Sequence, residues 1–251
     1  LNPHVDSEKV MGQISALKTL SKHMDTSQRG VRHPITGEDL TVEEALMLGI
    51  LDVPHNEYVH FGRQRRLSLP EAVAEDLVEA RIAKEVYGAI SKETLGNLLE
   101  NNTIDPKTGK FIHPETGKKM SIKEAIDQGL IDPNAVYLID PATGHVTSLG
   151  ALIEQGKFNP ETGKIIDPRT GKEISLNDAI QKKILNPSID VDKVATQMAA
   201  LKALAGHISP DQRGLKHPTT GEDMTVEEAV MLGVLDLTHN EYVDPITGRR
   251  M

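Results

Sequence analysis

The chain has 251 residues, enough for one or two domains with a sizeable core, and it is 38% apolar, 26% charged and 3% aromatic. Its 37 acidic and 28 basic side chains give a net charge of −9, which argues against a general nucleic-acid binder, and so few rings exclude a stacking platform for single strands. There is no Cys, so disulfide frameworks, thiolate zinc sites and Cys nucleophiles are excluded, and no apolar run approaches the roughly 20 residues that span a bilayer. The sequence opens inside a repeated unit, with no initiator Met and no signal-peptide pattern, and reads as a piece of something larger.

In residues 1–59, Ile14, Leu17 and Leu20 have helical spacing and predict a helix over 10–22. Pro34-Ile35-Thr36-Gly37 follows. Pro presets φ for the first corner of a turn, and Gly takes the left-handed position that closes a four-residue hairpin loop. His33 stands where other copies carry Asp, a turn-capping position. Thr41 with Glu44 reads as a capping box, and Gly49 stops that helix after about two and a half turns.

Residues 60–103 form a degenerate unit, because no Thr-Gly precedes the Ser68–Glu71 box. Arg63, Arg65 and Arg66 make the densest basic cluster, on a loop that is either a docking loop or, more plainly, solvated charge. Two apolar stripes, Leu69-Val73-Leu77 and Val78-Ile82-Val86-Ile90, predict one long helix over 69–90 buried on two sides. Residues 91–101 read as one more short helix.

Residues 104–187 are the most regular. Pro114, Pro141 and Pro168 lie 27 residues apart, as do Ser121, Ser148 and Ser175. Each unit is a β-hairpin followed by a short capped helix, with boxes at Ser121–Glu124 and Ser175–Asp178. The turn tetrapeptide is doubled at Pro106/Pro114 and Pro160/Pro168, so the strands over 110–113 and 164–167 are shared and predict three-stranded meanders. A helix this short is marginal alone, so Ile122, Ala125, Ile126 and Leu130 need covering by neighbours.

Residues 185–243 repeat 1–59 without a gap, with 36 of the 59 pairs identical at an offset of 184. Helix 194–205, the Thr225–Glu228 box and the Pro218 and Pro245 turns recur in this second copy of a super-repeat. The pairs Glu43-Glu44 and Glu227-Glu228 read as acids at helix N-termini, favoured by the dipole. In all, Pro-x-Thr-Gly takes eight of the 14 prolines and eight of the 20 glycines.

The expected fold is therefore α+β: a tandem array of β-hairpin plus short-helix units with intervening helices, stacked into one elongated body over 1–251. Its sub-units are 1–59, 60–103, 104–187 and 188–251. Residues 104–187 carry 11 basic and 11 acidic side chains, so the surplus acid lies elsewhere. Their basic positions, Lys107, Lys110, Lys118, Lys119, Lys164, Arg169 and Lys172, gather at the hairpins. Stacking in register would align them as a stripe facing an acidic partner; the plainer reading is solvated lysines guarding edge strands. No Walker loop, Gly-x-Gly-x-x-Gly or Gly-x-Ser-x-Gly is present, and no His pair has zinc spacing, so neither catalysis, cofactor nor metal is expected.

The turn, the capped Ser-Leu-x-Glu-Ala-Ile helix and the Gly-Leu-Ile-Asp-Pro exit, clearest at 112–133 and 166–187, resemble the plakin (plectin) repeat family, and the 184-residue period resembles the long arrays of plakin and spectraplakin cytolinkers. The resemblance implies a repeat of a hairpin plus two antiparallel helices. It implies a non-enzymatic cytoskeletal linker module in the cytoplasm, at the cytoskeleton or a cell junction, docking intermediate filaments or a junctional partner. The alternative is a structural spacer that contacts only neighbouring repeats. Neither reading involves nucleic acid or membrane insertion. Residues 131–137 run straight into the next turn and leave no room for a second helix there.

Overall fold

The computed structural model describes residues 7–140, 142–218, 221–237, 239, 241–244 and 249–251. The Leu1-Asn2-Pro3 opening, Pro141, Thr219-Thr220 and the Pro245 turn lie outside the described residues.

Side chains build the repeated corner as much as Pro and Gly do. The residue ahead of Pro places an acceptor over the turn: Asp105 Oδ1 accepts from Lys107 N at 3.0 Å, and Asn159 Oδ1 from Glu161 N at 3.0 Å. His113 Nδ1 accepts from Glu115 N at 3.2 Å, and His33 Nδ1 from Ile35 N at 3.3 Å, so these histidines do replace Asp. The Thr hydroxyl then accepts from the residue after Gly, as Thr116 does from Lys118 N and Thr143 from His145 N, both at 3.3 Å. Gly37, Gly109, Gly117, Gly144, Gly163, Gly171 and Gly221 close these corners with φ between 65° and 76°. One backbone shape recurs.

Helix α1 (Ser7–Ser21) leads into the hairpin β1 (Arg29–Arg32) and β2 (Asp39–Thr41), then α2 (Val42–Met47). Strands β3 (Leu51–Asp52), β4 (Glu57–His60) and β5 (Arg65–Ser68) form an antiparallel meander ahead of α3 (Leu69–Ala74), α4 (Ala80–Ile90) and α5 (Leu95–Glu100). The hairpin β6 (Phe111–Ile112) and β7 (Lys119–Met120) feeds α6 (Ile122–Asp127), and β8 (Tyr137–Ile139) and β9 (Val146–Ser148) feed α7 (Leu149–Glu154). A second meander, β10 (Phe158–Asn159), β11 (Lys164–Ile166) and β12 (Glu173–Ile174), precedes α8 (Leu176–Gln181). Helix α9 (Val191–Ala205), the hairpin β13 (Arg213–Lys216) and β14 (Asp223–Thr225), helix α10 (Val226–Met231), and the ribbon β15 (Leu235–Asp236) and β16 (Glu241–Tyr242) follow.

The structure corrects four expectations. First, 69–90 is two helices. Asp76 turns left-handed (φ 57°) and Leu77 N returns to Ala72 O at 2.8 Å, so the two apolar stripes belong to α3 and α4 separately. Second, the 60s unit is complete: His60 Nδ1 accepts from Arg63 N, and Gln64 (φ 49°) takes the glycine position. Third, the capped helices are shorter than expected. Among the described residues α2, α3, α5, α6, α7, α8 and α10 all have six residues, under two turns. Fourth, Ser175 accepts from Asp178 N, but the carboxylate of Asp178 meets the Ser175 hydroxyl at 2.8 Å. Asp is one methylene too short to complete the box that Glu44, Glu71, Glu124 and Glu228 complete. The meander at 158–174 matches expectation; its counterpart has two strands plus a single bridge, Ile104 to Phe111.

Five of the seven short helices also borrow a carbonyl for their second N-terminal amide; in α2 Glu43 N donates to Thr26 O at 3.0 Å. Lys123 N donates to Pro160 O at 3.0 Å, Asn177 N to Pro106 O at 2.9 Å, Gly96 N to Pro187 O at 2.9 Å and Glu227 N to Pro210 O at 3.0 Å. In α3 that position is Pro70, which has no N–H to satisfy. The bonds of α6 and α8 are reciprocal. The Gly109 and Gly163 corners sit back to back, so that a Cβ on either would collide with the other's backbone. The units around α6 and α8 therefore dock directly on each other, 54 residues apart, past the unit between them. They share one core, with Phe111, Ile122, Leu149, Phe158, Ile165 and Leu176 among its members. A second core joins α1–α4 to α9, which packs chiefly on α3. Contacts thus do not run only between sequence neighbours.

The left-handed residue after each helix is Gly49, Gly129, Gly156 or Gly233 in four units, and Asp76, Asn102 or Lys183 in three others. A side chain in that region is unfavourable. Lys183→Gly is expected to raise stability by about 0.5–1 kcal/mol, and Gly129→Ala to lower it by about the same. Urea denaturation of the two variants checks both signs.

Candidate partner-binding surface

Lys110 and Lys164 directly follow the two glycines of the pseudo-two-fold Gly109–Gly163 contact, so their backbones flank it. Lys118 and Lys172 take matching places after Gly117 and Gly171, and both are exposed. Lys110 and Lys118 lie near enough to Glu124 to help lower its pKa, behind the hydrogen bond that its carboxylate receives from the Ser121 amide. Lys110, Lys118, Lys164 and Lys172 make no ion pair among the described residues, nor do Lys107 and Arg63.

Lys119 and Arg169 are engaged locally. Lys119 Nζ lies 3.1 Å from Asp105 Oδ2, which helps hold that carboxyl down at about 2. Arg169 Nε lies 3.3 Å from Asp167 Oδ1. In the arginine cluster, Arg65 meets Glu75 at 2.8 Å and Glu71 at 3.7 Å, while Arg66 is paired with Glu57 and Asp52. Arg63 alone of the three leaves its charge open to solvent. The middle unit does not join the lysine pairs: its Gly144 corner packs on the end of α10, where a Cβ would lie 2.8 Å from Leu232 N. The lysines are therefore arranged about a two-fold contact.

His55 fastens one unit to another. Its Nδ1 is 2.9 Å from Asp52 Oδ1 and its Nε2 is 3.2 Å from Glu154 Oε2 on α7. The Asp52 hydrogen bond raises its pKa to about 9. His239 repeats the pairing with Asp236 at 2.7 Å.

One buried polar cluster was not legible in the sequence. Glu227, only 5% exposed, hydrogen-bonds the Ser68 hydroxyl and lies 3.8 Å from His145 Nε2, facing Glu71. Glu228 is the helix-capping acid that the sequence suggests; Glu227 instead joins α10 to the start of α3 and to the β8–β9 turn. Burial pushes the Glu227 carboxyl up from 4.5 toward neutrality, its own neighbour Glu228 adds to this, and burial keeps His145 neutral. Identical residues at Glu43 and Glu227 conceal the difference, because the burial is supplied by another unit.

A carboxyl raised in the folded state favours folding below its unfolded pKa of 4.5, and that contribution fades as pH rises through about 7. His145 acts in the opposite sense, favouring folding above 6.5. Glu227→Gln is expected to remove a stability loss on the order of 1–3 kcal/mol between pH 5 and 8. Urea denaturation at both pH values, with and without the substitution, measures it; an unchanged pH slope contradicts the assignment.

Among the described residues no helix is long and apolar enough to cross a membrane, and no three His, Asp or Glu side chains gather as metal ligands would. No curated protein and no solved structure matches the chain. The model of the plectin repeat family matches residues 107–137 and 162–189, the two segments that carry the reciprocal lysine hairpins and their helices α6 and α8. These two segments, 59 of the 251 residues, are similar to the plectin repeat.

Proposed function

We propose that this chain is a non-enzymatic repeat module of a cytoskeletal linker, and that it binds an acidic filament through Lys110, Lys118, Lys164 and Lys172. Plectin repeats are a non-catalytic, cytoskeletal repeat family, which supports the linker part of this reading. The position of Lys110 and Lys164 beside the Gly109–Gly163 backbone contact supports the binding part, because it places two lysines outside any ion pair among the described residues, 54 residues apart in sequence, on one docked pair of corners. Lys107 and Arg63 extend the basic surface; Lys119, Arg169, Arg65 and Arg66 contribute less, being already paired with carboxylates. The partner is an intermediate filament or a junctional protein with an acidic coiled coil, and the site of action is cytoplasmic, at the cytoskeleton or a cell junction.

One observation favours a spacer instead. Four of the ten basic residues singled out from the sequence are tied into internal ion pairs, on a chain of net charge −9. Such a module would hold its neighbours in place and bind no filament itself.

Co-sedimentation with assembled intermediate filaments separates the two. The binding reading expects pelleting that weakens from low to physiological salt. The combined variant Lys110→Glu, Lys118→Glu, Lys164→Glu and Lys172→Glu is expected to abolish pelleting, and Lys119→Glu with Arg169→Glu to reduce it less. Absence of pelleting at either salt would overturn filament binding and leave the spacer or a partner other than a filament.

A further inference from the structure

Two copies of the same helical pair stand in different surroundings. Helices α1 and α2 of the first copy correspond, at an offset of 184, to α9 and α10 of the second. In the first copy Met11 is 65% exposed, Ile14 49%, Met47 58% and Leu48 52%, and Glu43 is exposed as well. In the second copy the equivalent Met198 is 2% exposed, Met231 4% and Glu227 5%, while Ala195 packs partly buried on the same core. An apolar stripe that is open on α1–α2 is thus closed on α9–α10.

What closes it is visible. Helix α9 packs on α3 and α4; Glu227 meets Ser68 and His145; the Gly144 corner lies against Met231 and Leu232. All of these belong to residues 60–184, the part of the super-repeat that precedes the second copy.

The opposite face shows the converse. Ser15 and Thr19 of α1 are buried, with Ser15 Oγ donating to Asp132 Oδ2 at 2.5 Å and α1 packed on the 133–135 turn and on α4. The equivalent Ala199 and Ala203 of α9 are exposed. Ala16 and Leu51, under α4 in the first copy, correspond to Ala200 and Leu235, which line a groove of about 620 Å³ beside α9 and α10. Each helical pair therefore has one face for the residues before it and another for the residues after it.

We infer that the exposed α1–α2 face, with Met11, Ile14, Glu43, Met47 and Leu48, is a docking surface for α3, α4 and the β8–β9 corner of a preceding copy of the 184-residue unit. The contact is heterologous, and repeating it builds an open-ended head-to-tail array. A second free chain cannot supply the occupant, because its own α9 and α10 already cover that surface.

Methionine oxidation reads the proposal without altering the buried positions. In the chain itself, dilute hydrogen peroxide should oxidise Met11 and Met47 about tenfold faster than Met198 and Met231, read by peptide mass spectrometry. A tandem protein then places residues 1–184 ahead of the full 251-residue chain. The added copy carries Met11→Leu and Met47→Leu, so that the remaining Met11 and Met47 signals come from the chain behind it. Protection of both to the rate of Met198 and Met231 supports the docking surface. Oxidation as fast as in the single chain overturns it. Protection that appears in the single chain on raising its concentration would assign the face to self-association, and overturns it equally.

Discussion

A helix of six residues has more unsatisfied backbone amides and carbonyls at its ends than hydrogen bonds inside it. Seven such helices recur among the described residues, and the fold is organised around satisfying their ends. A Ser or Thr side chain takes one amide, a carbonyl from another segment takes the next, and a left-handed residue turns the chain back at the C-terminus. The borrowed carbonyl has the larger consequence. For α6 and α8 it makes each unit incomplete alone: the Pro160 carbonyl commits α6 to the unit of α8, and the Pro106 carbonyl commits α8 to the unit of α6.

That reciprocity shapes the surface. Two corners meeting through Gly109 and Gly163 present one lysine each at the point of closest approach, and the unit between them is turned toward α10. Lys110 and Lys164 thus follow the two corners of one backbone contact, on a chain that is acidic overall. Where a basic residue faces a carboxylate of its own hairpin, as Lys119 faces Asp105, the same geometry neutralises it. A long-range field toward an acidic partner depends on the lysines that escape such pairing.

The super-repeat adds a second level of incompleteness. Helices α1 and α9 hold equivalent places in the two copies and share seven of their 15 residues, yet each buries the face that the other exposes. A buried carboxyl against a serine hydroxyl and a neutral histidine, at Glu227, Ser68 and His145, belongs to the covered state only. Burying such a group is unfavourable unless it is hydrogen-bonded, and the Ser68 hydroxyl supplies that bond.

Much of the local structure was legible from residue order. The Pro-x-Thr-Gly corners, the histidines standing in for Asp, the Ser/Thr caps and the glycine stops depend on interactions within four or five residues, and such short-range chemistry leaves a pattern in sequence. The same chemistry was missed where other residues perform it: Gln64 in place of glycine at a corner, Asp76 in place of glycine at a helix end, and so α3 and α4 read as one helix. Which units meet was decided only in three dimensions. The docking of 54-residue neighbours through Gly109 and Gly163, and the burial of Glu227 but not Glu43, rest on surfaces far apart along the chain. The sequence by itself determined the repeating unit and its turns, caps and stops, because those are local; the tertiary structure decided which identical units are covered and which remain open, because burial is a property of the neighbour and not of the residue.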